Sequence, residues 1–368
     1  MPIILLVFLS AAVVQVIYFV LFLIALGKKH QLPSGKKPLP VSVVVCAHDE
    51  EANLRELVPL LLQQEYPEFE VIIIDDRSND NTFDWLLAET QKDHRLKMVH
   101  VNRTPPHTNE KKYAITLGIR SARFDRILLT DADCRPVSPR WIQNMSEGFT
   151  DQTKFVIGFS PYSKAPGLLN SFIRFESLIT GVQYISFALL GYPYMGVGRN
   201  LAYRKTFFMD QKGFHDYLSV TGGDDDLFVN RHAKGVNTVV KLGPDSLVQS
   251  IPKKSWRSFF HQKVRHLSVG KLYRFPHRFL LGIFSASWLL FWFTMPLLFF
   301  FPDQVSIALA ALFIRPLVLM MVVKRFSKTS GQPFEAWMVP LLDFIYAFYY
   351  LVTGLVAIRS KKVRWKKN

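Results

Sequence analysis

Residues 2–26 carry no charge, and neither do residues 279–302, FLLGIFSASWLLFWFTMPLLFFFP. A helix crosses the hydrocarbon of a bilayer with about 20 apolar residues. Both runs are long enough, so the chain between them is expected to be held at a membrane from both ends. Two further apolar stretches carry one charge each, 304–323 with Arg315 and 336–358 with Asp343, and read as additional segments. In 368 residues that leaves room for one sizeable domain.

The first run lacks the positive n-region and small-residue cleavage site of a secretory signal, and its cations, Lys28, Lys29, Lys36 and Lys37, follow it. It reads as an uncleaved anchor, and those lysines place the middle of the chain on the cytoplasmic side. If the source is bacterial, that is the inner membrane. The formal charge of +16 resembles a nucleic-acid signal, but its location argues against one. Eight Lys/Arg and no acid lie in 251–278, and six and no acid in the tail 359–368. Cations beside apolar segments meet lipid headgroups or follow the positive-inside bias. With a cytoplasmic domain, three C-terminal spans would put the basic tail on the far side. Either one of the segments 304–323 and 336–358 is re-entrant or interfacial, or the number of spans is not three, so 279–358 reads as two to four segments. Cys46 and Cys134 each follow a strand-like run; a disulfide is possible by count, but buried free thiols fit a reducing compartment.

The chain divides into an anchor (1–27), a basic linker (28–38), a soluble domain (39–250), a basic amphipathic bridge (251–278), a membrane region (279–358) and a basic tail (359–368). Within the domain, VSVVVCA (41–47) and FEVIIIDD (69–76) are continuous apolar, β-branched runs, as parallel strands buried on both faces require. KMVHV (97–101) and DRILLTDAD (125–133) read as further strands. Helical spacing fills 49–64, 81–91 and 111–122. Strands alternating with helices predict an α/β fold with a mainly parallel sheet. Ligands of such sheets bind at the carboxyl ends of the strands.

Four carboxylates gather at those ends: Asp75, Asp76, Asp131 and Asp133. Like charges so close are costly unless a cation lies among them. Oxygen donors suit a hard divalent ion, Mg2+ or Mn2+, and Mg2+ is commonly shared between one or two carboxylates and substrate phosphates. No His/Cys cluster has zinc spacing. A solvated turn, or a helix cap at Asp133, is the plainer reading of the pair alone. Neither a P-loop nor a G-x-G-x-x-G fingerprint is present.

Taken in order, CAHDEEANL (46–54), IIIDDRSNDNT (72–82), KKYAITLGIR (111–120), ILLTDADC (127–134), GVGRNLAYRK (196–205), GGDDDLF (222–228) and QKVRH (262–266) resemble the membrane-bound family 2 glycosyltransferases. The resemblance runs from about 40 to about 275. It implies a GT-A fold, Rossmann-like with helices on both faces of a mixed sheet, flanked by transmembrane helices. It also implies an inverting transfer from a UDP- or GDP-sugar. By that resemblance Ala47–Glu50, Asp75 and Asp76 hold the nucleoside, and Lys111 lies beside the diphosphate, though Glu110 stands where the family has glycine. Asp131 and Asp133 are the D-x-D that binds nucleotide and Mg2+ or Mn2+. Gly196, Gly198 and Asn200 form a turn near the acceptor.

The catalytic base is expected in GGDDDLF, where one carboxylate takes the proton of the attacking hydroxyl. One alignment gives Asp224 and another Asp225, with a slight lean to Asp225. Acid at a helix N-terminus would account for one of these residues but not three. In QKVRH, Gln262 and Arg265 match the family, with Arg265 toward the diphosphate. His266 replaces the tryptophan associated with polymer acceptors, which favours transfer of a single sugar. The same stretch reads as an interfacial amphipathic helix, so the expected acceptor is a lipid-linked or cell-envelope glycan. The aromatic-rich 172–194 could be an acceptor wall, a membrane-surface patch or packed core. Two rivals exist. A haloacid-dehalogenase-like phosphotransferase would carry its Asp pair on the first strand, not the fourth. A catalytically silent membrane scaffold would not need Asp131, Asp133, the Asp224–Asp226 cluster and Arg265 together.

Overall fold

A computed structural model describes residues 3–28 and 38–359. The expected linker and basic tail lie almost wholly outside those residues. The described chain forms two compact units, one of residues 38–163 and 188–252, the other of 3–28, 164–187 and 253–359.

The first of these is built on nine strands: β1 (Val41–Ala47), β2 (Phe69–Asp76), β3 (Leu96–Val101), β4 (Arg126–Asp131), β5 (Cys134–Pro136), β6 (Phe155–Ile157), β7 (Leu201–Arg204), β8 (Thr238–Val240) and β9 (Val248–Ser250). Seven make one sheet in the order β3-β2-β1-β4-β7-β6-β8, while β5 and β9 pair separately. β1 runs parallel to β2 and β4, and β2 parallel to β3, whereas β7 is antiparallel to both β4 and β6. Every residue of β2 is buried, the result of covering both faces of FEVIIIDD. The covering helices are α2 (Glu51–Leu62), α3 (Thr82–Thr90), α4 (Glu110–Ser121) and α5 (Trp141–Ser146), with α7 (Lys205–Asp210) and α8 (Asp226–His232) further on. One core layer joins Val43, Val45, Leu54, Leu57, Leu61, Val71, Ile73, Leu86 and Trp141.

Register sets the site. Cys46, next to last in β1, lies opposite Asp131 of β4, and Ala47 opposite Asp75 of β2. The two carboxylates therefore flank the end of β1 at one edge of the sheet. α4 approaches that edge closely. A Cβ on Gly118 would stand 2.5 Å from the Ile74 side chain and 2.9 Å from that of Val44, so only glycine lets the helix sit this near. Asn109 caps α4 by accepting from the Lys112 amide at 3.2 Å, which fixes where its first lysines begin.

The second unit is helical: α1 (Ile3–Gly27), α6 (Leu168–Leu189), α9 (Trp256–Val269), α10 (Phe275–Thr294), α11 (Val305–Ser330) and α12 (Val339–Arg359). Ile3–Gly27, Phe275–Phe300, Pro302–Ser330 and Ala336–Arg359 are each long and apolar enough to cross a membrane. The C-terminal region thus holds three such helices. The aromatic run read from 172 onward belongs largely to this unit. Phe172 packs edge-on against Phe259 and Tyr349 and beside Trp256, and Lys263 of α9 pairs with Glu176 of α6.

The two isolated charges of the apolar stretches meet. Arg315 and Asp343 are fully buried and form an ion pair. The Trp292 indole donates to the same Asp343 oxygen at 3.0 Å, and Arg315 donates to the Gln15 amide oxygen at 3.1 Å. Gln15 in turn donates to Ser287 at 2.7 Å and to the Phe284 carbonyl at 2.9 Å. One polar network therefore links α1, α10, α11 and α12, each charge meeting a partner rather than hydrocarbon.

Candidate active site

Lys111 lies at the centre of the sheet edge. Its ammonium is 3.0 Å from Asp131 Oδ1 and 3.0 Å from Asp224 Oδ2, and its side chain is only 15% exposed. The lysine and D-x-D expected at a diphosphate, and one of the two candidate bases, thus share one cation. Burial alone would lower the Lys111 pKa. Asp131, Asp224 and Asp225 outweigh it and hold the ammonium well above its ordinary range.

The Asp224–Asp226 segment follows two glycines in the left-handed region, Gly222 (φ 81°) and Gly223 (φ 76°). Its carboxylates diverge. Burial pushes Asp224 up, but Lys111 and Lys112 overcome that and hold it below its ordinary value. Asp225 is raised, by burial first and by the Asp224 charge second. Both Asp225 oxygens accept backbone N–H groups, Gly198 at 2.7 Å and Asp226 at 2.8 Å, so Asp225 caps α8. The plainer reading, acid at a helix start, thus describes Asp225.

Sequence reading passed over Lys112, which is fully buried. Its ammonium donates to the carbonyls of Val220 and Gly222 and stands 5.7 Å from the Tyr217 ring centre. Burial lowers its pKa to about 8. It clamps the loop that delivers Asp224.

The expected nucleoside residues cluster at the ends of β1 and β2. Asp75 is fully buried; His100 contacts its Oδ2 at 2.7 Å, and its Oδ1 has no hydrogen-bond partner among the described residues. A buried acceptor left this way is costly. Arg77 donates to both Asp76 oxygens, at 2.9 and 3.3 Å, and reaches Glu110 at 3.1 Å. Glu110, where glycine was expected, is thus half of an ion pair with Arg77. Asp49 (φ 53°) and Arg77 (φ 57°) take left-handed backbone. The loops carrying them are joined: Asn79 N–H donates to Asp49 Oδ1 at 2.7 Å, Asp49 N–H to Ser78 Oγ at 3.0 Å and Glu50 N–H to Thr82 Oγ1 at 3.1 Å.

Asp131 and Asp133 are half-buried, and no group of three or more His, Cys, Asp or Glu converges among the described residues. Two carboxylates open to solvent at a strand end fit a hard divalent ion that takes its remaining ligands from water and phosphate. On the acceptor-side turn, Gly198 is the donor to Asp225. Asn200 is fully buried, its amide donating to the carbonyls of Phe159 (2.8 Å) and Ser246 (2.7 Å) and accepting from the Trp141 indole (3.0 Å). It shapes the turn from inside and presents no group outward. Gln262, Arg265 and His266 lie on α9 in the helical unit, where spacing of three and four places them on one helix face. Cys46 and Cys134 are free thiols, with burial pushing both upward.

The family model for glycosyl transferase family 21 matches residues 6–368. The chain belongs to this family. The match agrees with the family 2-type GT-A resemblance read from the motifs. The chain is 25% identical over 240 residues to the probable glycosyltransferase YdaM of Bacillus subtilis, covering 62% of this chain and 55% of that one. It is 33% identical over 140 residues to the dolichyl-phosphate beta-glucosyltransferase of Homo sapiens, covering 35% and 42%. It is 32% identical over 113 residues to the poly-beta-1,6-N-acetyl-D-glucosamine synthase of Staphylococcus epidermidis, covering 30% and 24%. The chain thus spans about half the length, or less, of these curated relatives. Among solved structures, the mannosyltransferase PcManGT of Pyrobaculum calidifontis, in complex with GDP-Man and Mn2+, superposes with a TM-score of 0.63 at 15% identity, covering 96% of this chain and 98% of that one. The fold is GT-A-like, with one long apolar helix before the sheet unit and three after it.

Proposed function

We propose that this protein is a metal-dependent, inverting glycosyltransferase that moves one sugar from a UDP- or GDP-sugar to a lipid-linked acceptor at the cytoplasmic face of a membrane. The observation that carries the reading is Lys111, one ammonium holding the D-x-D carboxylate Asp131 and the candidate base Asp224 at 3.0 Å each. A donor diphosphate would lie beside that cation, and Asp131 and Asp133 would hold Mg2+ or Mn2+ there. The ion, when bound, would stabilise the charge developing on the leaving diphosphate. Ala47, Glu50, Asp75 and Asp76 would receive the nucleoside, with Asp75 Oδ1 accepting from a base N–H or ribose hydroxyl.

The sequence leaned toward Asp225 as base; the geometry favours Asp224. Asp225 uses both oxygens on backbone amides, so taking a proton there would break a helix cap. Asp224 instead forms an ion pair with Lys111, with the Lys112 charge adding to it. As the diphosphate attracts Lys111, the larger of the two lysine effects that depress Asp224 weakens and its basicity rises. The base is thereby armed after the donor arrives. Gly198 and Asn200 act as positioning residues of the neighbouring turn. His266, where a tryptophan is expected, supports non-processive transfer.

A lipid acceptor is supported by relatives named for dolichyl phosphate and for monoglucosyldiacylglycerol, and by the four apolar helices. The cytoplasmic orientation is supported by cations at 253–278 and again at Lys324, Arg325 and Lys328, with the acid Asp303 in the intervening turn; the basic run after 358 runs against it if all three C-terminal helices cross. The test is donor release. Detergent-purified protein is incubated with UDP- and GDP-sugars and Mn2+, and free nucleoside diphosphate is measured, with Asp131→Asn and Asp224→Asn as controls. Release from one donor, lost in both variants, is expected. Absence of Mn2+-dependent nucleotide binding would refute the transferase reading and favour a silent scaffold.

A further inference from the structure

The turn Gly198–Asn200 gives three consecutive residues three tasks, and only two are accounted for. Gly198 N–H holds Asp225, and Asn200 ties the turn to Phe159, Ser246 and Trp141. The turn is braced further by Asn200 N–H donating to the Val197 carbonyl at 2.8 Å and by Gly158 N–H donating to the Asn200 carbonyl at 3.0 Å. Arg199, between them, is therefore carried on rigid backbone. Its guanidinium carbon stands 4.6 Å from the centre of the Tyr162 ring, a cation–π contact that holds the side chain against that ring. Its Nη1 is buried and has no hydrogen-bond partner among the described residues.

A buried guanidinium N–H without an acceptor costs free energy that a well-packed interior avoids. Arg199 is also under the charge of the D-x-D. Burial lowers its pKa, but Tyr162, Cys134, Asp133 and Asp131 together hold it above its ordinary value. The backbone carrying those acids is fixed as well, because Ile251 N–H donates to the Asp133 carbonyl at 3.1 Å and Cys134 pairs with Ser250. A braced cation with an unpaired donor, in the field of the Asp133 and Asp131 carboxylates, has the features of an anion contact.

We propose that Arg199 is a phosphate-binding residue of this site, its Nη1–H donating to a phosphate oxygen of the substrate. The proposal rests on the transferase reading above and adds to it a second cation besides Lys111. The phosphate has two possible sources, the nucleoside diphosphate of the donor and a phosphate headgroup on the acceptor lipid.

Binding to the full-length protein in detergent separates them. The probes are UDP, GDP and the bare nucleosides with Mn2+, and a polyprenyl phosphate beside the matching polyprenol. Wild type, Arg199→Gln and Arg199→Lys are compared, with melting temperature as a folding control. A Kd at least tenfold weaker for the nucleoside diphosphate in Arg199→Gln, with nucleoside binding unchanged and partial rescue in Arg199→Lys, assigns the donor phosphate. The same pattern confined to polyprenyl phosphate, with polyprenol unaffected, assigns the acceptor phosphate. Affinities within threefold of wild type for both phosphates overturn the proposal while leaving the transferase reading intact. A wild-type protein that binds none of these probes overturns both. If Arg199→Gln does not fold, Arg199→Lys decides alone, because it keeps the charge and loses the planar fork: a Kd more than threefold weaker for one phosphate, with its nucleoside or polyprenol unchanged, supports the proposal, and affinities within threefold for both overturn it.

Discussion

Replacing Lys111 by methionine tests the centre of the site. The substitution keeps most of the side-chain volume and removes one charge. Two carboxylate contacts at 3.0 Å are lost, and Asp224 stays buried without its partner. At an effective dielectric of about 20, a unit-charge pair at 4 Å is worth roughly 4 kcal/mol before desolvation. Asp131 is 29% exposed, so its share is screened. For the nucleotide, the loss is one charge-assisted contact, about 1.5–3 kcal/mol, or roughly 10–100-fold in Kd at 1.4 kcal/mol per decade. The variant has a second signature. Lys111 lowers the pKa of both Asp224 and Asp225, so its removal raises both. A base must be ionised to act, and a higher pKa means ionisation is lost earlier as pH falls. The acidic limb of kcat/KM should therefore move to higher pH in Lys111→Met. Calorimetric titration of UDP and GDP with Mn2+, together with a pH–rate series, measures both effects. Nucleotide affinity within threefold of wild type with an unmoved acidic limb would refute the shared-cation account.

Asp224→Asn should lower kcat by about 10²–10⁴-fold, the usual worth of a general base. Asp225→Asn keeps one acceptor oxygen and loses the other, so it should chiefly cost about 1–3 kcal/mol of stability at the Gly198 or Asp226 amide; the reverse ranking in turnover assays would restore Asp225 as base. Lys112→Met leaves the Val220 and Gly222 carbonyls without their donor, at about 1–3 kcal/mol. Because the Lys112 pKa is about 8 when folded against 10.5 for a free lysine, the unfolded chain binds more protons between those values. The wild type should gain stability from this group as pH rises through that window, and the variant should lack that gain in denaturation series. In the helical unit, Arg315→Met alone should destabilise by about 3–5 kcal/mol by stranding Asp343, whereas Arg315→Met with Asp343→Leu should recover most of it. Additive losses in detergent unfolding would show that the pair is not coupled.

The parts of the fold legible in the sequence are those where one local pattern decides. VSVVVCA and FEVIIIDD predict β1 and β2 with their observed ends, because continuous β-branched runs have few other places to go. The four apolar stretches likewise appear as four long helices. β6 and β8, three residues each, exist by pairing with neighbours and leave no such signature. α6 falls inside the stretch read as one soluble domain, yet most of it packs with the helical unit. Composition could not decide that, since an aromatic-rich helix serves a core and a membrane surface equally.

Within the site the limit is finer. Motif order brought Asp75, Asp131, Lys111 and Asp224 to one sheet edge, but adjacent residues there do opposite things. Lys111 and Lys112 are the same residue type in succession, and a helix turns them about 100° apart. One faces carboxylates; the other faces backbone carbonyls. Asp224 and Asp225 differ as sharply, one held by a cation and one holding amides. Gly198, Arg199 and Asn200 divide between a base loop, an open donor and a buried brace. Position in a motif assigns a residue to a neighbourhood, and the direction of its side chain assigns its chemistry. Asn200 shows this most clearly: its amide is consumed by Phe159, Ser246 and Trp141, and the group left with something to offer is the arginine beside it.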